Sequence, residues 1–251
     1  VISPYFLSIK MKKFEILQQE YLNILSELDE SFFNEKHSNS KKIEGLSSLF
    51  LASEPDNYWH AKNKIMIIGA ETRGWEIKLT EEYSLENYTR SSIEQNKHFF
   101  KRMMNEPRTK KITFHDFTRA VADKSGHEGL IYSNLFCFDW NKKSPIGSKY
   151  FKEIHEVSRK LLSAQLNYFQ PSIVILANGL SSVKFRREIF PLDRCKNSTN
   201  YENELIGKNQ LWQFNFDDKN ICYRIQHPST RTGRKEAQNA RNKLLDLLPN
   251  K

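Results

Sequence analysis

Apolar residues along this chain follow two rhythms. Phe14, Leu17, Tyr21, Ile24, Leu25 and Leu28 recur at steps of three and four, with polar Gln18, Gln19 and Glu20 off the stripe. That spacing predicts a helix over 12–31 that packs on one face. Lys64-Ile65-Met66-Ile67-Ile68-Gly69 is instead a short unbroken apolar run ending in glycine, the pattern of a strand buried on both faces of a parallel sheet. Similar runs stand at 130–135 and 172–177. Between them, helices are predicted near Ile93 to Met104, over 114–122 and over 151–168, the last stopped by Pro171, whose ring cannot continue a helix. Residues 34–45 are polar and read as a loop. Asn178-Gly179-Leu180-Ser181-Ser182 leads into another helix. Trp212 to Phe216 and Ile221 to Gln226 form a candidate strand pair. A final helix over 233–248 turns Ala237, Ala240, Leu244 and Leu247 inward.

Buried strands alternating with long helices predict an α/β protein. The expected architecture is a three-layer α/β/α sandwich with a mainly parallel central sheet of about four strands. No repeat, low-complexity tract or linker interrupts residues 12–251, so one domain is expected there. Residues 1–11 are expected to be disordered or vector-derived, because Met11-Lys12-Lys13 reads as a natural start.

Composition narrows the function classes. With 38% hydrophobic and 12% aromatic residues among 251, the chain can build a core, which excludes wholesale disorder. Its 39 Lys and Arg against 30 Asp and Glu leave a net charge of +9, which suits a polyanionic partner such as DNA. The three cysteines, Cys137, Cys195 and Cys222, are far apart. That spacing argues against a zinc or iron–sulfur site and fits a reducing cytoplasm. No apolar run approaches the ~20 residues of a membrane span. No cofactor, metal, membrane or obligate protein partner is expected.

In an open α/β sheet, ligands bind beyond the carboxyl ends of the strands. Gly69-Ala70-Glu71-Thr72-Arg73-Gly74-Trp75 follows the first run, and Ser133 and Asn134 close the second. Asn178, Gly179, Ser181 and Ser182 follow the third, and His227-Pro228-Ser229-Thr230-Arg231 follows the last strand. A carboxylate, an amide, hydroxyls and a histidine thus converge on one rim. Each also has a plainer reading. Glu71 can cap a helix or pair with Arg73, Asn134 can end a strand, His227 can shape a turn and the serines can cap a helix.

Taken in order, these segments resemble the uracil-DNA glycosylase superfamily. Its members carry a first motif after a strand, Gly-Gln-Asp-Pro-Tyr in one family and Gly-Glu-Ala-Pro-Gly in another. An Asn ends an apolar strand, and a late His-Pro-Ser precedes a DNA-probing loop. Gly69-Ala70-Glu71, Ile131-Tyr132-Ser133-Asn134 and His227-Pro228-Ser229 match that layout over about residues 64–248. Thr72-Arg73 stands in place of Pro-Tyr, and no four-cysteine cluster is present.

The resemblance implies a metal-free glycosylase that works on a base flipped out of DNA. Glu71 would stabilise the oxocarbenium-like sugar and position water. His227 would donate to a base carbonyl, and Asn134 would read a pyrimidine edge. Gly69, Ala70 and Arg73 would border the base, with Trp75 or Tyr83 stacking on it; Trp75 can equally be a core residue. Ser181, Ser182, Ser229, Arg231, Arg234 and Lys235 would grip DNA. The substrate is uracil or, since Gly74 removes bulk and Arg73 adds a donor, a pyrimidine with a large polar 5-substituent such as a phage-type modified cytosine. The alternatives are an inactive DNA-binding relative and a nucleoside-processing hydrolase.

Overall fold

The computed structural model describes residues 4–33, 43–79, 82–107, 114–231 and 233–251, with side chains from Phe14 onward. The loop expected at 34–45 falls largely on 34–42, outside the described residues. Among the described residues, six α-helices accompany six strands: α1 (Pro4–Leu25), α2 (Leu85–Asn105), α3 (Phe114–Ser125), α4 (Phe151–Phe169), α5 (Val183–Ile189) and α6 (Arg234–Leu247). The strands are β1 (Ile65–Gly69), β2 (Leu130–Asn134), β3 (Ile173–Leu176), β4 (Cys195–Asn200), β5 (Leu211–Phe216) and β6 (Asn220–Ile225). These are the elements of a three-layer α/β/α fold with a mainly parallel sheet in the middle.

The strands form one sheet in the order β2-β1-β3-β6-β5-β4. β2, β1, β3 and β6 run parallel, and β5 and β4 extend the sheet antiparallel. The chain passes from β1 to β2 on one side, while β3 lies on β1's other side. The topological switch point is therefore between β1 and β3, where such sheets bind ligands. The four parallel strands answer the expected sheet. β4 adds an edge that hydrophobic patterning misses, because Lys196, Asn197, Ser198, Thr199 and Asn200 are polar and solvent-facing. Its register shifts between Lys196 and Thr199, and Asn197 sits at φ 49°, a bulge that suits an exposed edge.

Two helix starts differ from the pattern. α1 begins at Pro4, inside residues expected to be disordered. Proline is favoured in a first helical turn, and neither glycine nor a second proline interrupts the run that follows. α2 begins at Leu85 rather than near Ile93, because Ser84 caps it by accepting the Asn87 N–H at 3.0 Å.

The chain divides into two compact units. One holds 1–51, 72–95 and 136–168; the other holds 52–71, 96–135 and 169–251, with every strand of the sheet. The first unit is built on aromatics. Tyr21, Phe33 and Tyr88 are fully buried, Phe33 meets Tyr88 edge-on at 5.6 Å, and the Leu49 N–H donates to the Tyr88 hydroxyl. In the second unit, Ile65, Met66, Ile67 and Ile68 are all buried on β1, as a strand covered on both faces requires. Ala237, Ala240 and Leu244 of α6 are buried as expected, with Leu248 rather than Leu247 completing the apolar face. Among the described residues no helix is long and apolar enough to cross a membrane.

Ile67 is fully buried on a central strand. Ile67→Ala is therefore expected to lower unfolding free energy by about 2–5 kcal/mol. Guanidinium denaturation checks this, and a loss under about 1 kcal/mol would contradict the placement of β1 in the core.

Candidate active site

The second unit gathers its chemistry at the carboxyl ends of β1, β2, β3 and β6. Gly69 of β1 is level with Asn134 of β2, and the ladder continues as the Leu135 N–H donates to the Gly69 carbonyl. A side chain at Gly69 would run into Asn134 Oδ1 and come to 3.2 Å from the Phe114 ring. The glycine is thus what lets the Asn134 amide lie across the end of β1.

Asn134 is buried, and its amide is satisfied on one side only. Tyr132, two residues earlier and so on the same strand face, donates its hydroxyl to Asn134 Oδ1 at 3.2 Å. Asn134 Nδ2 is sealed from solvent and meets no hydrogen-bond partner among the described residues. Burial pushes the Tyr132 phenol up to about 12, and the Glu71 charge raises it further. Glu71 is half-buried, as is Ala70.

Asn178, two residues beyond β3, repeats the arrangement. It is 2% exposed, and Arg186 Nη1 donates both to Asn178 Oδ1 and to the Gly179 carbonyl, each at 3.1 Å. Burial, with Arg224 and Arg187 nearby, pushes the Arg186 guanidinium down to about 10, so it remains a charged donor at neutral pH. Asn178 Nδ2 also lacks a partner among the described residues. Leaving a buried donor unpaired costs about 1–3 kcal/mol. The two donors stand beyond β2 and β3, the strands that flank β1.

His227 follows β6 in a turn closed by the Thr230 N–H on its carbonyl at 2.8 Å. The Ser229 N–H donates to Nδ1 at 3.2 Å, so the neutral ring carries its proton on Nε2. Gly179, at φ 74°, runs beside His227: a Cβ there would sit 3.5 Å from His227 Cβ. The half-buried Phe114 ring opens α3, with its centroid 5.7 Å from that of His227 and 5.3 Å from that of Tyr132. Phe114 therefore stands among Gly69, Tyr132 and His227. Sequence reasoning missed it, although an aromatic heading an amphipathic helix was visible. It also missed Asn178 as a site residue.

The surroundings of the other expected residues differ. Trp75 belongs to the first unit and is buried, its ring edge-on to Phe50 at 5.1 Å. It packs a core instead of presenting a face to a base. Tyr83 of that unit is half-buried, 6.3 Å from Tyr88. Arg73 is exposed on a turn organised by buried Asp139, which accepts the Thr72 hydroxyl at 2.8 Å and the Gly74 N–H at 2.7 Å. Ser182 is buried and donates its hydroxyl to the Asn178 carbonyl at 2.7 Å, so it braces the loop and is removed from the DNA-facing set. Ser181, Ser229, Arg231, Arg234 and Lys235 are on the surface, whereas Arg241, further along the same basic segment, is buried.

Among the described residues no three His, Cys, Asp or Glu side chains gather to hold a metal. A cleft of about 310 Å³ lined by Ser53, Lys97, Phe100, Met104 and His127 lies at the other end of the strands, since His127 precedes β2. No protein-family model matches the chain, and no curated protein matches it.

Gly69→Ala forces Asn134 to move. It is expected to cost about 1–3 kcal/mol of stability by overpacking, read from chemical denaturation. An unchanged midpoint would contradict the position of the Asn134 amide over β1.

Proposed function

We propose that this chain is a DNA glycosylase that hydrolyses the bond between a flipped-out pyrimidine and its sugar, leaving an abasic site. The supporting observation is the gathering of Asn134, Tyr132 and His227 about the half-buried Phe114 ring beside Gly69, with Glu71 two residues beyond that glycine. We infer a divergent member of the uracil-DNA glycosylase superfamily, supported by the order of the strand-end segments that carry these residues.

In this reading Phe114, rather than Trp75 or Tyr83, offers the face on which the flipped base stacks. The C1′–N1 bond breaks with its electron pair going to the base. Positive charge develops on the sugar beside Glu71, and negative charge on the base beside the donors of His227 and Asn134. A water oxygen bonds to C1′ and gives a proton to Glu71, and the departing base takes up one proton from solvent, so that Glu71 returns its own to solvent. Preorganised donors matter here because they face charge that exists only as the bond breaks. Exposed Arg231, Arg234 and Lys235 follow His227 in sequence and supply cations for DNA phosphates. The free thiols of Cys137, Cys195 and Cys222 support a cytoplasmic setting.

Glu71→Gln and His227→Ala are each expected to slow base release by about 10²-fold or more while duplex binding persists. The assay uses duplexes carrying uracil or a 5-modified cytosine, with alkali cleavage of abasic strands. Wild-type rates in both variants would remove these roles. DNA binding without release from any duplex would favour an inactive binder, and release from free nucleosides alone would favour a small-molecule hydrolase. Replacing Arg231 and Lys235 by Ala is expected to flatten the salt dependence of binding by about 0.9 in log–log slope per lost phosphate contact. An unchanged slope would take this segment off the DNA surface.

A further inference from the structure

We propose that Arg186 and Arg224 form a binding site for a phosphate group, on the face of the sheet opposite Asn134 and Phe114. The inference does not depend on the glycosylase reading. Arg224 of β6 is level with Leu176 of β3, and Asn178 stands two residues beyond Leu176. Positions two apart share a strand face, so Arg224 and Asn178 belong to one side. Leu176 is level with Ile68, whereas Asn134 is level with Gly69, one step on and so on the other side. Arg186 reaches from α5 to Asn178 Oδ1 and the Gly179 carbonyl, each at 3.1 Å. Arg224 Nη1 donates to the Asn209 carbonyl, just before β5, whose first residue is level with Ile225. Both guanidinium groups therefore stand at the carboxyl ends of the neighbouring strands β3 and β6.

Buried arginines are ordinarily paired with a carboxylate. Arg119 shows that solution, buried with Asp116 at 2.6 Å. Arg186 and Arg224 are 6% and 5% exposed, yet the acceptors they meet among the described residues are all neutral. Burial lowers both guanidinium groups, and the Arg224 charge lowers Arg186 further. Two like charges thus share a poorly solvated corner without a counter-charge. Their donors are also left over. Arg186 Nε and Nη2 and Arg224 Nη2 meet no acceptor among the described residues, and unlike Arg224 Nε they are not sealed from solvent. An oxyanion would supply both the charge and the acceptors. A planar carboxylate is satisfied by one guanidinium fork, whereas the several oxygens of a tetrahedral phosphate can take N–H groups from two. A DNA phosphodiester and a free phosphate monoester share this chemistry.

Two probes test the site on the full chain: inorganic phosphate, titrated against chloride at constant ionic strength, and an unmodified duplex without terminal phosphates. The Arg186 Nε–H resonance in a ¹⁵N–¹H spectrum, assigned with Arg186→Lys, is expected to shift saturably with phosphate and to ignore chloride. The melting temperature should rise with phosphate by mass action. Arg224→Met removes one charge and leaves the bonds of Arg186 to the Asn178 loop intact. It is expected to weaken binding about tenfold or more. Arg224→Lys, which keeps the charge without the fork, is a second variant expected to weaken it by a smaller factor. An Arg186 resonance that ignores both probes overturns the inference, as does an affinity unchanged in both variants. A duplex that competes with phosphate, or that alone shifts the resonance, assigns the site to the DNA backbone. A duplex that leaves the phosphate affinity unchanged assigns it to a free phosphate monoester. Base release, present or absent, bears on the glycosylase reading alone.

Discussion

Two amide side chains at the carboxyl end of the sheet are hydrogen-bonded on one side only, and the character of the site follows from that constraint. Asn134 and Asn178 cannot turn to satisfy themselves. Tyr132 and Arg186 hold their oxygens, and both side chains are buried. The unmet N–H groups cost stability in the free protein. The switch point of a parallel sheet is where ligands are met.

The sheet makes this constraint possible. β1 is apolar to its end and then gives way to glycine, whose missing side chain leaves the space that Asn134 fills. The same absence brings the Phe114 ring close to the strand end. Gly179 does a related service after β3: its positive φ turns the chain so that the loop passes beside His227. Arg186 then reaches back from α5 to the Asn178 oxygen and the Gly179 carbonyl.

Much of the fold was legible in the sequence because burial on both faces leaves an unmistakable apolar run. Residues 64–69, 130–135 and 172–177 mark β1, β2 and β3 to within a residue or two. β4 escaped because a solvated edge strand needs no apolar residues. At the site, the strand-end positions of Glu71, Asn134 and His227 were readable from order alone. Tyr132 was not, since its hydroxyl lies within a run that reads as core. Asn178 was visible, but its orientation depends on Arg186 eight positions later, brought back by the β3–α5 loop. Trp75 went the other way: its place after a strand suggested a base platform, while its contact with Phe50 makes it core. Pattern reports burial and period; it does not report which side of an amide a neighbour occupies.

The side-chain amide resonance of Asn134 reports most directly on the proposal that this strand end meets a flipped-out base. In a ¹⁵N–¹H spectrum of deuterated protein, assigned with Asn134→Leu, its N–H pair should shift on adding a duplex with one unreactive 2′-fluoroarabino nucleotide that carries uracil or 5-hydroxymethylcytosine. It should stay in place with an unmodified duplex of the same length. A side-chain amide that responds to neither modified duplex, while the protein demonstrably binds them, would contradict the account.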